Sequence, residues 1–356
     1  MAKSVLVAMS GGVDSSVAAY LIKKEGYEAV GVTLSLYKGE DAGCPEKATG
    51  SLSDVEDAKS VANQLSMEHC VFNYQNSFKT DVIDRFVSSY IEGKTPNPCI
   101  DCNKYIKFKK LFESAEQMNI DCISTGHYAI IEHDKNMQRY LLKKAIDLTK
   151  DQSYVLYSLD QNRLSKTLLP LGSLEKSEVR KIAQENGFLN ARKSDSQDIC
   201  FVPDGKYADF IEKHTGKCFQ NGQFVDTKGA ILGEHKGIIR YTTGQRKGLG
   251  LALPNPMYVY QKDMKNNRVI LSDEYKLFSK SFYANDINLI TKDSIDRPLK
   301  VRARVRYKQK EQWATVEQVG GDRIHVEFDS PQRAITSGQA VVLYDDDVVI
   351  GGGTIE

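Results

Sequence analysis

A short apolar run, residues 5–9, enters Ser10-Gly11-Gly12-Val13-Asp14-Ser15 without a break. A helical stretch follows over 16–24, with Val17, Tyr20 and Leu21 spaced for one face; Gly26 ends it, and 28–36 reads as a second strand. Strand, glycine turn, helix, strand is a βαβ unit. It predicts a parallel sheet with helices on its faces, which constrains the fold more than any other feature of the chain.

The turn has its own chemistry. Two glycines let the backbone approach a ligand, and the turn opens onto a helix N-terminus, where free N–H groups and the helix dipole favour an anion. Ser10 and Ser15 add hydroxyl donors, and Asp14 is a candidate for helping to hold Mg2+. The plainer alternative is a tight turn with Asp14 as a helix cap. No Gly-Lys-Ser/Thr follows, so this is neither a Walker loop nor a dinucleotide fingerprint. The string resembles the SGGxDS signature of the N-type ATP pyrophosphatases. That resemblance implies a loop cradling the pyrophosphate end of ATP, an acceptor oxygen attacking the α-phosphorus, and a doubly wound sheet with its nucleotide site at the strand ends.

Farther along, Ser53-Asp54-Val55-Glu56 reads as a capping box for a helix to about residue 65. Residues 70–73 read as a strand and 78–92 as a helix. In Thr95-Pro96-Asn97-Pro98-Cys99-Ile100-Asp101-Cys102 the prolines stiffen the start. A helix is expected from Asn103, with Phe108, Leu111, Phe112, Ala115 and Met118 inward. That puts Cys102 at a helix N-terminus near Lys104 and Lys107, which favours thiolate, with Asp101 opposing. Cys99-x-x-Cys102 has three readings: half a zinc site lacking a second pair, a redox pair, or one nucleophile beside an incidental cysteine. Residues 121–125 read as a buried strand ending in Gly126-His127-Tyr128, on the ligand edge of a parallel sheet. Taken alone, His127 is a loop histidine bonded to backbone. A hairpin-like stretch at 140–144, a helix start at Lys150-Asp151-Gln152-Ser153-Tyr154 and a helix over 177–186 capped by Gly187 follow. A polar loop, 193–201, carries Cys200, which is a packed side chain unless a second thiol is needed within reach of Cys102.

After Asp204 the pattern changes to one helix, 207–214, and short strands at 219–225, 237–241, 257–261 and 268–271, with a glycine-rich basic loop at 243–251. From Asn285 regular strands read as a small β-barrel. Its strongest feature is the run 300–308, where Lys300, Arg302, Arg304, Arg306 and Lys308 share one strand face over Val301, Ala303 and Val305. Either acids such as Asp345, Asp346 and Asp347 answer these cations, or a polyanion does. The expected organisation is an α/β domain over 1–205, a small mostly β domain over 206–284 and a barrel over 285–356.

Composition bounds the partners. With 48 Lys and Arg against 47 Asp and Glu, a net charge of +1, bulk charge cannot hold nucleic acid, so any basic surface is local. No stretch approaches the roughly 18 apolar residues of a membrane span, and the first apolar run is too short for a secretory signal. Seven cysteines, an odd number, argue for a reducing, cytoplasmic setting rather than a disulfide framework.

Several strings then resemble one family in order along the whole chain, the tRNA-specific 2-thiouridylases. They are residues 8–15, Thr95-Pro96-Asn97-Pro98 with Cys102-Asn103-Lys104, Thr125-Gly126-His127-Tyr128, Lys150-Asp151-Gln152-Ser153-Tyr154, Ile199-Cys200-Phe201, Thr243-Gly244-Gln245-Arg246-Lys247-Gly248, Arg306-Tyr307 and Ser337-Gly338-Gln339. The resemblance implies an adenine nucleotide α-hydrolase-like fold, with ATP and Mg2+, tRNA and a persulfide-carrying donor protein as cofactors and partners. It implies that Ala8, Met9, Ser10, Gly11, Gly12, Val13, Asp14, Ser15, Leu34 and Gly126 contact ATP. Asn97, Pro98 and Cys99 would line the pocket of the target base, and His127, Lys150, Asp151, Gln152, Arg306, Tyr307 and Gln339 would touch tRNA. Cys102 and Cys200 would be the working thiols; Cys44, Cys70, Cys122 and Cys218 are read as incidental. The family pattern has Asp where this chain has Cys99, so its acid/base group is replaced, with Asp101 a substitute if the loop turns it inward. The competing readings are another adenylating enzyme of the superfamily, such as a 4-thiouridine or amide-forming one, and a non-catalytic RNA-binding protein that uses ATP as a structural ligand.

Overall fold

The computed structural model describes residues 3–37, 52–194, 199–202 and 205–356. Cys44, Asp204 and the 195–198 part of the polar loop lie outside the described residues.

Five parallel strands form the first sheet, in the order Glu68–Asn73, Glu28–Ser35, Ser4–Ala8, Cys122–Ser124, Thr167–Leu168. Alternation along the central strand splits its side chains between two cores. Val5 and Val7 join Val17, Ala18, Ile22, Val61 and Val179 from the helices Val13–Lys24, Leu52–Gln64 and Lys176–Glu185. Leu6 faces the other way, onto Phe108, Leu111, Ile123 and Tyr154. Helices therefore cover both faces, as a doubly wound sheet requires. The strand order reverses between Ser4–Ala8 and Cys122–Ser124, so the loops leaving these two strands, 9–12 and 125–128, flank the crevice where such sheets bind ligands.

Local structure departs from the sequence reading in five places. The helix expected to open on a capping box at Ser53 begins at Leu52, so Ser53 lies inside it. The first helix begins at Val13, with Gly12 at the cap position, so Asp14 lies in the first turn and is not the cap. The helix that carries Cys99 and Cys102 begins at Pro98, not Asn103: the Asn97 side chain accepts the Cys99 N–H at 3.1 Å and Pro98 takes the first position. It runs on through a π-wound segment, Cys102–Lys110, to Gln117. Residues 238–240 form a single 3-10 turn after Gly237 (φ 101°) rather than a strand, because Ile238 and Ile239 are both buried and a strand would turn one of them out. The basic strand, Leu299–Arg304, ends before Arg306 and Lys308, which lie in the following turn.

The helix Tyr207–Thr215 and four strands ordered Tyr258–Asp263, Arg268–Ser272, Gly222–Asp226, Ile231–His235 make the central unit. Its core is continuous with that of the α/β half through Phe78, Phe86, Phe201 and Phe210. Beyond it, Phe278–Leu289, Arg323–Arg333, Gln312–Gln318, Leu299–Arg304, Ala340–Asp345 and Val348–Ile355 pair in turn, and the last pairs back with the first, closing a six-stranded barrel. The hairpin Ile130–Asp134/Arg139–Lys143 from the first half adds to this sheet, with Val348 opposite Lys143.

Candidate active site

The glycine turn is held rigid by its own serines. Ser10 N–H donates to Ser15 Oγ at 3.0 Å, and Ser15 Oγ donates to the Gly12 carbonyl at 3.0 Å. Gly11 has φ 72°, and a Cβ there would sit 2.4 Å from the Asp54 carbonyl; a Cβ on Gly126 would sit 2.8 Å from the backbone of Asp14 and Ser15. Both glycines thus serve close backbone packing. Gly12 differs: a Cβ there would meet only Ser10 Oγ, at 3.4 Å, which leaves the space over the first helical turn open. The N–H groups of that turn lack intrahelical partners and form a cradle suited to phosphate. Ala8 and Met9 lead into this loop; Met9 is buried, and its N–H donates to the Val32 carbonyl at 2.8 Å. Leu34 is half-buried, packed between two of the cores.

Asp14 is not open for a metal. Lys176 Nζ donates to both its oxygens, at 2.6 and 2.8 Å, and Tyr128 O–H donates to Oδ1 at 2.7 Å. The loop's carboxylate is already neutralised, so the expected magnesium role does not fit it. No cluster of three or more His, Cys, Asp or Glu suited to a metal occurs among the described residues. Behind the loop, Asn190 Nδ2 donates to the Gly11 carbonyl at 3.0 Å, and Lys193 bridges that carbonyl to Asp54 and Asp57. Tyr128 belongs to the Gly126-His127-Tyr128 segment expected on the ligand edge, whereas Lys176, Asn190 and Lys193 act through tertiary contacts from far along the chain, and no local pattern marks them.

The cysteines gather on one helix face and the segment beside it. Cys99 and Cys102, three residues apart, share a face. Asn97 caps this helix and Pro98 is buried at its start. Cys102 is buried; Cys99 and Cys200 are reached by solvent. Cys200 is held from its backbone, whose carbonyl accepts the Tyr37 hydroxyl. Its neighbour Phe201 sits in the same core as Cys102.

Electrostatics overturn the thiolate expectation. Burial pushes the Cys102 thiol up to about 12; Lys107 opposes this, while Cys200, Cys99 and Asp101 add to it. The helix starts one turn earlier than expected, so Cys102 loses the N-terminal dipole that would have favoured thiolate. Cys99 is open to solvent, and partial enclosure also raises its thiol, again against Lys107. Asp101 is largely enclosed, and its charge reaches Cys102. It pairs with Arg85 at 3.6 Å, and burial raises it to about 6 against the pull of Arg85 and Lys104. In the free protein Cys102 is therefore a neutral thiol at pH 7. Alkylation of Cys102 by iodoacetamide, followed by peptide mass spectrometry, is expected to accelerate about tenfold per pH unit from 7 to 10, since only the thiolate reacts. A rate already flat above pH 8 would contradict this.

The residues expected to touch RNA divide. His127 is buried, its Nδ1 2.7 Å from Thr125 Oγ1 and its ring 5.7 Å from Phe108; burial, then Lys107, holds it well below its ordinary pKa. Asp151 is also buried, accepting from Ser153 and from Arg304 Nη2 at 3.2 Å. Asp151 reaches the surface where it lines a cavity beside Arg304. Gln152 clasps Tyr128 through that residue's N–H and carbonyl. Lys150 is half-buried beside them. Tyr307 O–H donates to the Asp151 carbonyl at 3.0 Å, and Arg306 is tied to Ala334 and Thr336. Gln339 Nε2 donates to the Thr95 carbonyl at 2.6 Å, and Thr95 N–H donates to the Ser337 carbonyl, so the barrel pins the proline loop.

The five-cation face is likewise broken up. Lys300 pairs with Asp329, Arg302 lies 3.8 Å from Asp346 over the Trp313 ring, and Arg304 is buried on Asp151. A cavity of about 740 Å³ opens beside them, lined by Lys144, Arg302, Arg304, Tyr307, Lys308 and Lys310 among others. No glycine-loop residue and no cysteine lines it.

Comparison with known proteins follows this architecture. Residues 3–204 match the family described as tRNA methyl transferase HUP domain, 208–273 the tRNA methyl transferase PRC-barrel domain and 279–355 the aminomethyltransferase beta-barrel domain. The tRNA-specific 2-thiouridylase MnmA of Clostridioides difficile (strain 630) is 51% identical over 356 residues, 100% of this chain and 99% of that protein. Its namesake from Acetivibrio thermocellus is 49% identical, over 99% of each chain. A 4-thiouridine synthetase–RNA complex with bound ATP aligns at 15% identity over 60% of this chain and 50% of that chain, with a TM-score of 0.36, too remote to bear on function.

Proposed function

The chain belongs to the tRNA-specific 2-thiouridylase family, and from that premise we propose that it replaces the 2-oxygen of the wobble uridine of tRNA with sulfur, using ATP. The observation that carries the reading to chemistry is the pair of thiols: Cys102 is buried in a core that Phe201 shares, and Cys200, beside Phe201 and open to solvent, is near enough for its charge to act on Cys102. A methyl transfer, which the family model's description suggests, needs no such pair.

Uracil O2 is a poor leaving group; ATP supplies the remedy, since joining that oxygen to AMP makes it a good one. The chain's part is to hold and to exclude. The N–H groups of the first helical turn, from Val13, bind the pyrophosphate end, with Gly12 leaving the space and Gly126 closing the loop's back. Asp14, already held by Lys176 and Tyr128, would not carry magnesium; any magnesium would come bound to the ATP phosphates and supply charge neutralisation there. Asn97, Pro98 and Cys99, pinned through Thr95 by the barrel, wall the flipped base; flipping costs a few kcal/mol, less in an anticodon loop than in a duplex. Exposed Cys200 accepts sulfur as a persulfide from a donor protein, and a sulfur so placed reacts without the entropic cost of a bimolecular encounter. Cys102 then resolves the persulfide, leaving a Cys102–Cys200 disulfide for a reductant to open. Lys308 and Lys310, beside the barrel cavity, meet RNA phosphate, so binding weakens with salt.

Mass spectrometry of nucleosides from tRNA incubated with the protein, ATP and a persulfide donor is expected to show 2-thiouridine, and none without ATP. Sulfur appearing at uridine 4, or only when ATP is omitted, would refute the assignment. For the described residues, no helix is long and apolar enough to cross a membrane.

A further inference from the structure

The helix that carries Cys102 carries another thiol, Cys99, three residues earlier on the same face. We propose that Cys99 is the exit thiol of the cycle: it takes over the oxidation left by sulfur transfer as a Cys99–Cys102 disulfide and so returns Cys200 to the free thiol. The proposal rests on the two-thiol reaction above.

Cys99 holds the second position of the helix that starts at Pro98, and Cys102 follows three residues later. Helical residues so spaced have Cα atoms about 5 Å apart on one face, within the span a disulfide bridges. Their exposure sets the order of events. Cys102 is buried, whereas Cys99 is open to solvent. A disulfide between Cys102 and Cys200 occupies the very thiol that must take the next persulfide, on a segment anchored by Phe201 against Phe78, Phe86 and Phe210. A disulfide between Cys99 and Cys102 presents an exposed sulfur to a reductant and leaves that segment unlinked. The charges of Cys99 and Cys200 both act on Cys102, which places the three sulfurs in one electrostatic neighbourhood.

The exchange balances within the protein. The Cys99 thiolate attacks the Cys102 sulfur; the Cys99–Cys102 bond forms, the Cys102–Cys200 bond breaks, and Cys200 leaves as thiolate, taking up the proton that Cys99 released. No net oxidation occurs in this step. A small external dithiol then reduces Cys99–Cys102 and is itself oxidised to its disulfide.

The test is a single turnover of the full-length protein, charged with inorganic polysulfide, desalted, and mixed with tRNA and ATP without reductant. After an acid quench, free thiols are alkylated and the disulfides mapped by non-reducing peptide mass spectrometry, counted per 2-thiouridine formed. In the unaltered protein, Cys99–Cys102 is expected to exceed Cys102–Cys200 by about tenfold or more, with Cys200 alkylated. In Cys99→Ser, Cys102–Cys200 is expected at about one per 2-thiouridine. Persistence of Cys102–Cys200 with Cys99 alkylated in the unaltered protein overturns the proposal alone. Formation of 2-thiouridine with no disulfide in either protein overturns it together with the two-thiol reaction.

Discussion

Cys200→Ser and Cys102→Ser are each expected to lower 2-thiouridine formation by about a thousandfold or more, because a serine hydroxyl neither carries nor resolves a persulfide. The two losses should not multiply in the double variant, since the thiols act as one unit. Stability separates chemistry from folding. Cys200 is exposed, so its replacement should leave the unfolding midpoint unchanged. Cys102 is buried, and a hydroxyl in its place costs about 1–2 kcal/mol. Nucleoside mass spectrometry with urea titration reads both quantities. Full activity in Cys200→Ser would end the persulfide account.

Arg304→Met is expected to have the largest effect on stability, about 3 kcal/mol. Its guanidinium reaches Asp151 at 3.2 Å and Tyr344 O–H at 2.8 Å, with the pair's side chains only 13% and 4% exposed. Removing the cation leaves a carboxylate buried with only its neutral donors from Ser153 and Ala145. The chain's single tryptophan, Trp313, sits on the adjoining strand under Arg302, so its fluorescence follows the barrel directly. Adding Asp151→Asn to Arg304→Met should restore part of the loss. A midpoint unchanged in Arg304→Met would mean that this pair holds nothing together.

The contrast between these two sites shows what a sequence carries. The βαβ unit and its phosphate loop were legible because one short segment holds strand, turn and helix, and the glycines mark the turn. The thiol pair came from resemblance; nothing local joins Cys102 to Cys200. The early helix start was hidden because Pro96 and Pro98 read as stiff loop, whereas Asn97 caps the helix and Pro98 suits its first position. Side-chain alternation put Arg304 on a polar face correctly, but the partner that buries it lies 153 residues away, as Lys176 lies 162 residues from Asp14. Such pairings depend on how the domains meet, which no window of sequence contains.

The hairpin at 130–143 joins the barrel sheet by pairing with Val348–Ile355, so early-made strands wait for a late-made neighbour. During synthesis on the ribosome their outer edge stays unsatisfied until that distant strand emerges, and an unpaired edge invites association with other chains. The nascent protein thus passes through an interval when chaperone capture matters most, and a stop codon anywhere before residue 348 would make that interval permanent.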